Sequence, residues 1–267
     1  MPENQRHLEL CILLANRRKQ LMFTGQSAAA ARGIARTDPF EMRAHCISTT
    51  RMSEDIIRWH YGERDRASTI ESGILAASPI RTVCDLAKFD SPESLLVSIN
   101  HCLFNDLFSR EQLLEEIENK RGMNGRRILG KLLRFSTKQC ESALETIAWI
   151  SIYQAGFVVP QQQLIIRKEK DFIARVDMFW ELRDRKVILE LDGKIKYKEN
   201  SKYDGNSKFK KDDVLYDEKI REDRLRELGY EVIRATWAEV RSGVFVKKLC
   251  AKKIPLRRNF TGTFPTR

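Results

Sequence analysis

The chain has 267 residues, 42% of them hydrophobic. That is enough for one large domain or two ordinary ones around a packed core, which excludes disorder as the default. No apolar run reaches the roughly 18 residues of a membrane span, so no membrane partner is expected. The formal net charge of +11 is uneven: residues 1–135 carry 20 basic and 17 acidic side chains, residues 136–267 carry 28 and 20. A basic second half fits a polyanion partner, and equally a well-solvated surface.

The start, "MPENQRHLELCILLANRRKQ", has a short apolar patch with acids inside it and no small-residue cleavage site, so it reads as the start of a cytoplasmic protein. Six cysteines, at 11, 46, 84, 102, 140 and 250, form no C-x-x-C pair, and the four histidines do not cluster with them. Buried free thiols are expected rather than a zinc site or a disulfide framework.

Residues 6–20 have helical spacing. "LMFTG" then begins a short strand, and Thr24 or Ser27 is placed to cap a small helix over Ala28 to Ala31, closed by Gly33. "RAHCIS", "IIRWHYG" and "ASTIESGILAAS" read as short strands. "SPIRTVCDLAKF" turns helical, with Pro79 in the first turn and Ile80, Val83, Cys84 and Ala87 on one face. "SPESLLVSINHCLFNDL" and "SREQLLEEIENK" each open with a Ser cap and an early Glu, and "RGMNGRRILGKLLRFS" has helical spacing up to Ser136. A domain boundary is expected there.

"STKQCESALETIAWISIYQAGF" is then a long helix stopped by Gly156. "QQQLIIR", "ARVDMFWEL" and "RKVILELDG" are strands, the last two joined by "RDR". Residues 198–212 hold five lysines, one Gly and no aliphatic side chain, and read as a loop. "DDVLYDEKIREDRLRELG" is a helix stopped by Gly229, "YEVIRATW" a strand and "AEVRSGVFVKKLCAKK" a final helix. The order α-β-β-β-α-β-α implies an α/β arrangement with a mixed sheet.

The chemistry sits at the end of "KVILELD". Side chains alternate along a strand, so Ile188, Glu190 and Asp192 share one face. In "ARVDMFW", Asp177 shares a face with Arg175 and Phe179, and a tight hairpin brings it toward Glu190. Glu145 lies on the preceding helix, with Glu141 one turn earlier. Taken singly, a strand-end acid is more often a salt-bridge partner or a turn former before Gly193. Three carboxylates converging from two strands and a helix would repel one another without a cation. Hard oxygen donors of this kind suit Mg²⁺ or Mn²⁺. Asp177, Glu190 and Asp192 are the expected metal ligands and Glu145 an assisting acid. Lys194 and Lys196, just downstream, and Lys219, on the next helix, are placed to orient water or to neutralise a phosphate.

"SALETIAWISIYQAGF", "ARVDMFW", "VILELDGKIKY" and "DEKIREDRLRELGYEVIRATWAEV" resemble a bacterial group of restriction-endonuclease-like proteins. That group is similar to very-short-patch-repair endonucleases, within the PD-(D/E)xK superfamily. The resemblance covers about residues 136–250. It implies a restriction-endonuclease-like mixed sheet flanked by helices over 136–267, and metal-dependent cleavage of phosphodiester bonds, with DNA the expected substrate, in defence or repair. Asp177 matches the first acid of the superfamily motif, Glu190 the second and Glu145 the helix acid. Asp192 stands where the superfamily usually has lysine, which leaves Lys196, then Lys219, as replacements. Glu218 and Arg221, one helical turn apart, match the group's helix and are placed to reach the metal shell or a phosphate. Residues 194–211 would approach the nucleic-acid backbone.

"FTGQSAAAARGI" and "SPIRTVCDLAKF" resemble the middle region of AbiEi-type antitoxin regulators, which implies a smaller α+β domain over residues 1–135. No winged helix is evident in it, and nothing in it names a protein partner. Arg81 and Asp85, four apart, read as a structural ion pair. The alternative to a nuclease is a regulator or antitoxin-like factor that binds DNA on a nuclease-like fold without cutting. The lysine missing from its usual position favours that reading and the retained acids oppose it.

Overall fold

In the computed structural model, residues 2–62, 64, 67–70, 73–120, 122–193, 220–258 and 263–266 are described. The chain is α/β, with two mixed sheets that belong to two compact units. The first unit comprises Met1–Thr146 with Pro265–Arg267, the second Ile147–Phe264. The division falls eleven residues beyond the boundary expected at Ser136, inside the helix that starts at Ala143.

The first unit opens with helix α1 (Glu3–Arg17), followed by β1 (Met22–Phe23) and α2 (Gly25–Arg32). Gly33 closes α2 in the left-handed conformation, φ 66°, as the sequence predicts. Then come β2 (Ala44–Ser48), β3 (Ile57–Tyr61), β4 (Ala67–Thr69) and β5 (Leu75–Ala77). They form a sheet in the order β3-β2-β1-β5-β4. The β2–β3 and β1–β5 pairs are parallel, β1–β2 and β4–β5 antiparallel. Every residue of β2 is buried, which is why it lacks a polar alternation.

Four helices follow: α3 (Pro79–Leu86), α4 (Pro92–Phe104), α5 (Arg110–Asn119) and α6 (Arg126–Leu133). Ser78, Ser91 and Ser109 cap the first three, the last in a full capping box with Gln112. Thr24 does not cap α2 with its side chain; its hydroxyl instead donates to the buried Asp85, 2.5 Å away. Asp85 also takes Arg81 at 2.8 Å and Lys88 at 2.7 Å, so Arg81 and Asp85 are the ion pair expected from their spacing. A second buried pair joins Arg36 to Asp90 through two hydrogen bonds, 3.0 and 2.7 Å.

None of the six cysteines forms a disulfide, and Cys11, Cys46, Cys84, Cys102 and Cys140 are buried, as expected, whereas Cys250 is exposed. Burial pushes the Cys11, Cys46, Cys84 and Cys102 thiols well above the ordinary range, so they are inert packing groups.

Gly125 heads α6 with φ 82°, and a Cβ there would lie 2.6 Å from the Ala87 carbonyl oxygen and 2.7 Å from the Ala87 Cβ. Backbone strain and steric overlap act together at this position. Gly125→Ala is expected to destabilise the first unit by about 2 kcal/mol or more. Urea unfolding followed by Trp59 fluorescence measures it, and an unchanged midpoint would contradict the packing described.

Helix α7 (Ala143–Gln154) runs across the division and ends before Gly156, φ 78°. In the second unit, β6 (Gln161–Lys168), β7 (Asp171–Glu181), β8 (Lys186–Asp192) and β9 (Tyr230–Thr236) form a sheet in that order. β6–β7 and β7–β8 are antiparallel, and β8–β9 is parallel. Residues 220–227 are helical and are labelled α8. Gly229, φ 83°, stops them before β9. The final helical stretch is split by Gly243 into α9 (Trp237–Arg241) and α10 (Val244–Ala251). The element order is the one read from the sequence, apart from that split. Residues 194–219 lie outside the described residues, and with them the loop expected at 198–212 and the start of the helix after it.

Two periodicities build this unit. Ala174, Val176, Met178 and Trp180 are all buried on one face of β7. On the other face, Phe179 pairs with Ile188 and packs with Leu225 of α8. Among the described residues no helix is long and apolar enough to cross a membrane.

Candidate metal and phosphate site

The site is set by strand register. Phe179 lies opposite Ile188, and the β7–β8 ladder ends with Met178 opposite Leu189. One step further, Asp177 comes level with Glu190. There the Asp177 carboxylate takes over the role of a strand acceptor: its Oδ2 receives the Leu191 backbone N–H at 2.8 Å. That bond fixes the side chain against the strand that carries Glu190 and Asp192. The hairpin expected to bring Asp177 toward Glu190 therefore does so, with its tight turn closed by Leu182 N–H to the Arg185 carbonyl at 2.9 Å.

Glu190 and Asp192 sit two residues apart on β8, on the face of Ile188. Both are partly exposed, in contrast to the fully buried Val187–Leu189 run before them. Helix α8 covers this face through Leu225, which is 1% exposed. Arg221 is four residues before Leu225, hence on the same side of the helix. Its guanidinium reaches Glu190 Oε2 at 3.5 Å. The parallel β8–β9 register adds a cation the sequence reading omitted: Arg234 lies level with Glu190. Its guanidinium pairs with Glu222 of α8 at 2.9 Å, and Glu222 also holds Arg226 at 2.5 Å. Alternation in "YEVIRAT" puts Arg234 on the face of Tyr230 and Val232, but only the pairing of β9 with a strand about 40 residues earlier sets it beside Glu190.

The expected convergence of three or more carboxylates is not found among the described residues, where no three His, Cys, Asp or Glu side chains gather to hold a metal ion. Asp177 and Glu190 are brought together, and Asp192 shares the face. Glu145 belongs to the first unit, where its carboxylate accepts from the Ser142 hydroxyl at 2.8 Å and the Glu141 backbone N–H at 3.0 Å. It serves the start of α7, a task its position three residues after Ser142 explains. Arg221, expected to reach the metal shell or a phosphate, faces Glu190, one of the expected metal ligands. Lys194, Lys196, Lys219 and Glu218 lie outside the described residues.

Two adjacent carboxylates fit a hard cation that keeps most of its water and is held by one or two acids, which is how Mg²⁺ is bound at phosphate-handling sites. They do not form an all-protein cage. Searches against protein-family models, curated proteins and solved structures give no significant match to this chain.

Proposed function

We propose that the chain is a divalent-metal-dependent endonuclease that hydrolyses phosphodiester bonds, with DNA as substrate. The observation that supports this is the meeting of Asp177 and Glu190 at one strand end, with Asp192 on the same face and arginines beside them. The restriction-endonuclease-like resemblance of residues 136–250 points the same way. Asp177, Glu190 and Asp192 would hold Mg²⁺ or Mn²⁺. The ion, when bound, supplies a hydroxide nucleophile near neutral pH and stabilises charge on the scissile phosphate.

The chain's own groups then divide the remaining work. Leu191 N–H holds the Asp177 carboxylate in place, so it needs no reordering when the site loads. Arg221 balances Glu190 in its present state and can release it to take a phosphate oxygen. Lys196 is assigned to water or the phosphate by its place after the acids.

The Arg221–Glu190 pair also favours a second reading, a DNA-binding regulator in which the acids are neutralised within the protein. A cleavage panel separates the two. Single-stranded, duplex, mismatched and branched DNA, and RNA, are incubated with Mn²⁺ and with EDTA. The nuclease reading expects Mn²⁺-dependent products from at least one DNA; protection of every substrate, with DNA still bound, would leave the regulator.

A further inference from the structure

The first unit carries a second basic surface, remote in sequence from the acids. An open cleft of about 980 Å³ lies where the end of α3 meets the start of α6. Lys88, Arg126, Arg127 and Lys131 line it, and none of the described residues that line it is acidic. Helix α6, "RRILGKLL", has no acid of its own. Arg127 and Lys131 are four apart, so two exposed like charges stack on one face, an arrangement that weakens a helix. Among the described residues neither makes an ion pair. Lys88 and Arg126 are anchored, Lys88 on Asp85 at 2.7 Å and Arg126 on the Ile117 carbonyl at 2.7 Å. The start of α6, without a side-chain cap, also borders the cleft.

Between the cations lie apolar groups. Phe89 is 43% exposed and Met123 lies beside it in the cleft lining. The Phe89 ring is held edge-on by His45 and His60, at 5.6 and 5.5 Å between centroids, and the Arg58 guanidinium lies over the ring, 5.2 Å from its centroid, so it is a fixed plate rather than a loose side chain. A membrane surface would ask for a flat patch, and a lone anion for a closed pocket. A cation-lined groove with an ordered, exposed aromatic ring is the combination that single-stranded nucleic acid uses: charges track phosphates and the ring takes a base. From Arg127 to Lys131 the helix rises about 6 Å, enough to span about two phosphates of one strand.

We infer that the cleft between α3 and α6 is a binding groove for single-stranded nucleic acid, gripped by Arg127 and Lys131 with Phe89 as stacking plate. This goes beyond the proposed cleavage and does not depend on it.

The test is fluorescence anisotropy of a labelled oligo-dT bound to the full chain in EDTA, from low to moderate salt. EDTA removes any divalent-ion chemistry, so failure here leaves the nuclease reading to its own cleavage panel. Arg127→Gln/Lys131→Gln is expected to weaken binding about tenfold or more and to lower the salt slope by about 1.4. Phe89→Leu, which keeps an apolar side chain but removes the ring, is expected to weaken binding about fivefold or more. Arg6→Gln/Arg17→Gln on α1 removes the same charge elsewhere and should change the slope by less than half as much. Equal slopes for the two double variants, an unaffected Phe89→Leu, or displacement of the oligonucleotide by polyglutamate would each overturn the assignment.

Discussion

Glu190→Gln and Asp177→Asn are each expected to lower divalent-ion-dependent DNA cleavage at least about 10³-fold, roughly 4 kcal/mol of transition-state stabilisation. Both changes preserve shape and remove one negative charge. Asp177→Asn retains an oxygen that can accept the Leu191 N–H now received at 2.8 Å, so the strand pair survives. Glu190→Gln loses its charge attraction to Arg221, but that contact is partly exposed, at 3.5 Å, and its loss costs at most about 1 kcal/mol. Melting temperatures should therefore stay within a few degrees while cleavage collapses. Gel assays at saturating Mn²⁺ measure the first and calorimetric unfolding the second. Cleavage within tenfold of the wild type in both variants would remove these acids from the mechanism.

The first unit is expected to lose stability in mildly acidic solution, well before its carboxylates titrate. His7 and His60 are buried, and desolvation, the largest cause in each case, holds both near a pKa of about 4 instead of 6.5. Around His7, the Ser27 hydroxyl at 2.8 Å and the Glu41 carbonyl at 3.0 Å bond the ring without neutralising a positive charge. His60 is disfavoured further by neighbouring His45. The folded imidazoles thus refuse protons that the unfolded chain accepts. Their contribution is complete above pH 6.5 and drains away as pH falls toward about 4. Each group approaches about 1.4 kcal/mol per pH unit below pH 6.5, so the pair removes about 3 kcal/mol between pH 6.5 and about pH 5. That is a large part of the stability of an ordinary domain. Urea unfolding read by Trp59 should show the decline, and His60→Gln should make it shallower. A flat profile across that interval would contradict the burial described.

Much of the fold was legible because local signals agreed with it. Serine caps at 91 and 109 and Pro79 in a first turn marked where helices begin, and they do begin there. The alternation of "VILELD" placed Glu190 and Asp192 on one face, and the short turn after Glu181 set the hairpin that brings Asp177 alongside. What escaped was non-local. The parallel pairing of β2 with β3 leaves no mark in either strand. Thr24 has the chemistry of a helix cap, yet it bonds Asp85, 61 residues away, because that buried carboxylate needs a third donor. Arg234 became part of the acid site only through the register of β9 against β8. Glu145 was read as a site acid from its place on the preceding helix and from the resemblance; its carboxylate is taken up by Ser142 at the helix start, a local role that its position three residues after Ser142 also announces.

The central claim is that a divalent cation belongs at Asp177 and Glu190, and titration calorimetry with Mn²⁺ tests it most directly. The wild type should bind one ion with measurable heat in the absence of nucleic acid. Asp177→Asn, folded as judged by its melting curve, should lose that heat. Equal heats from the two proteins, or none from the wild type at millimolar Mn²⁺, would contradict the account.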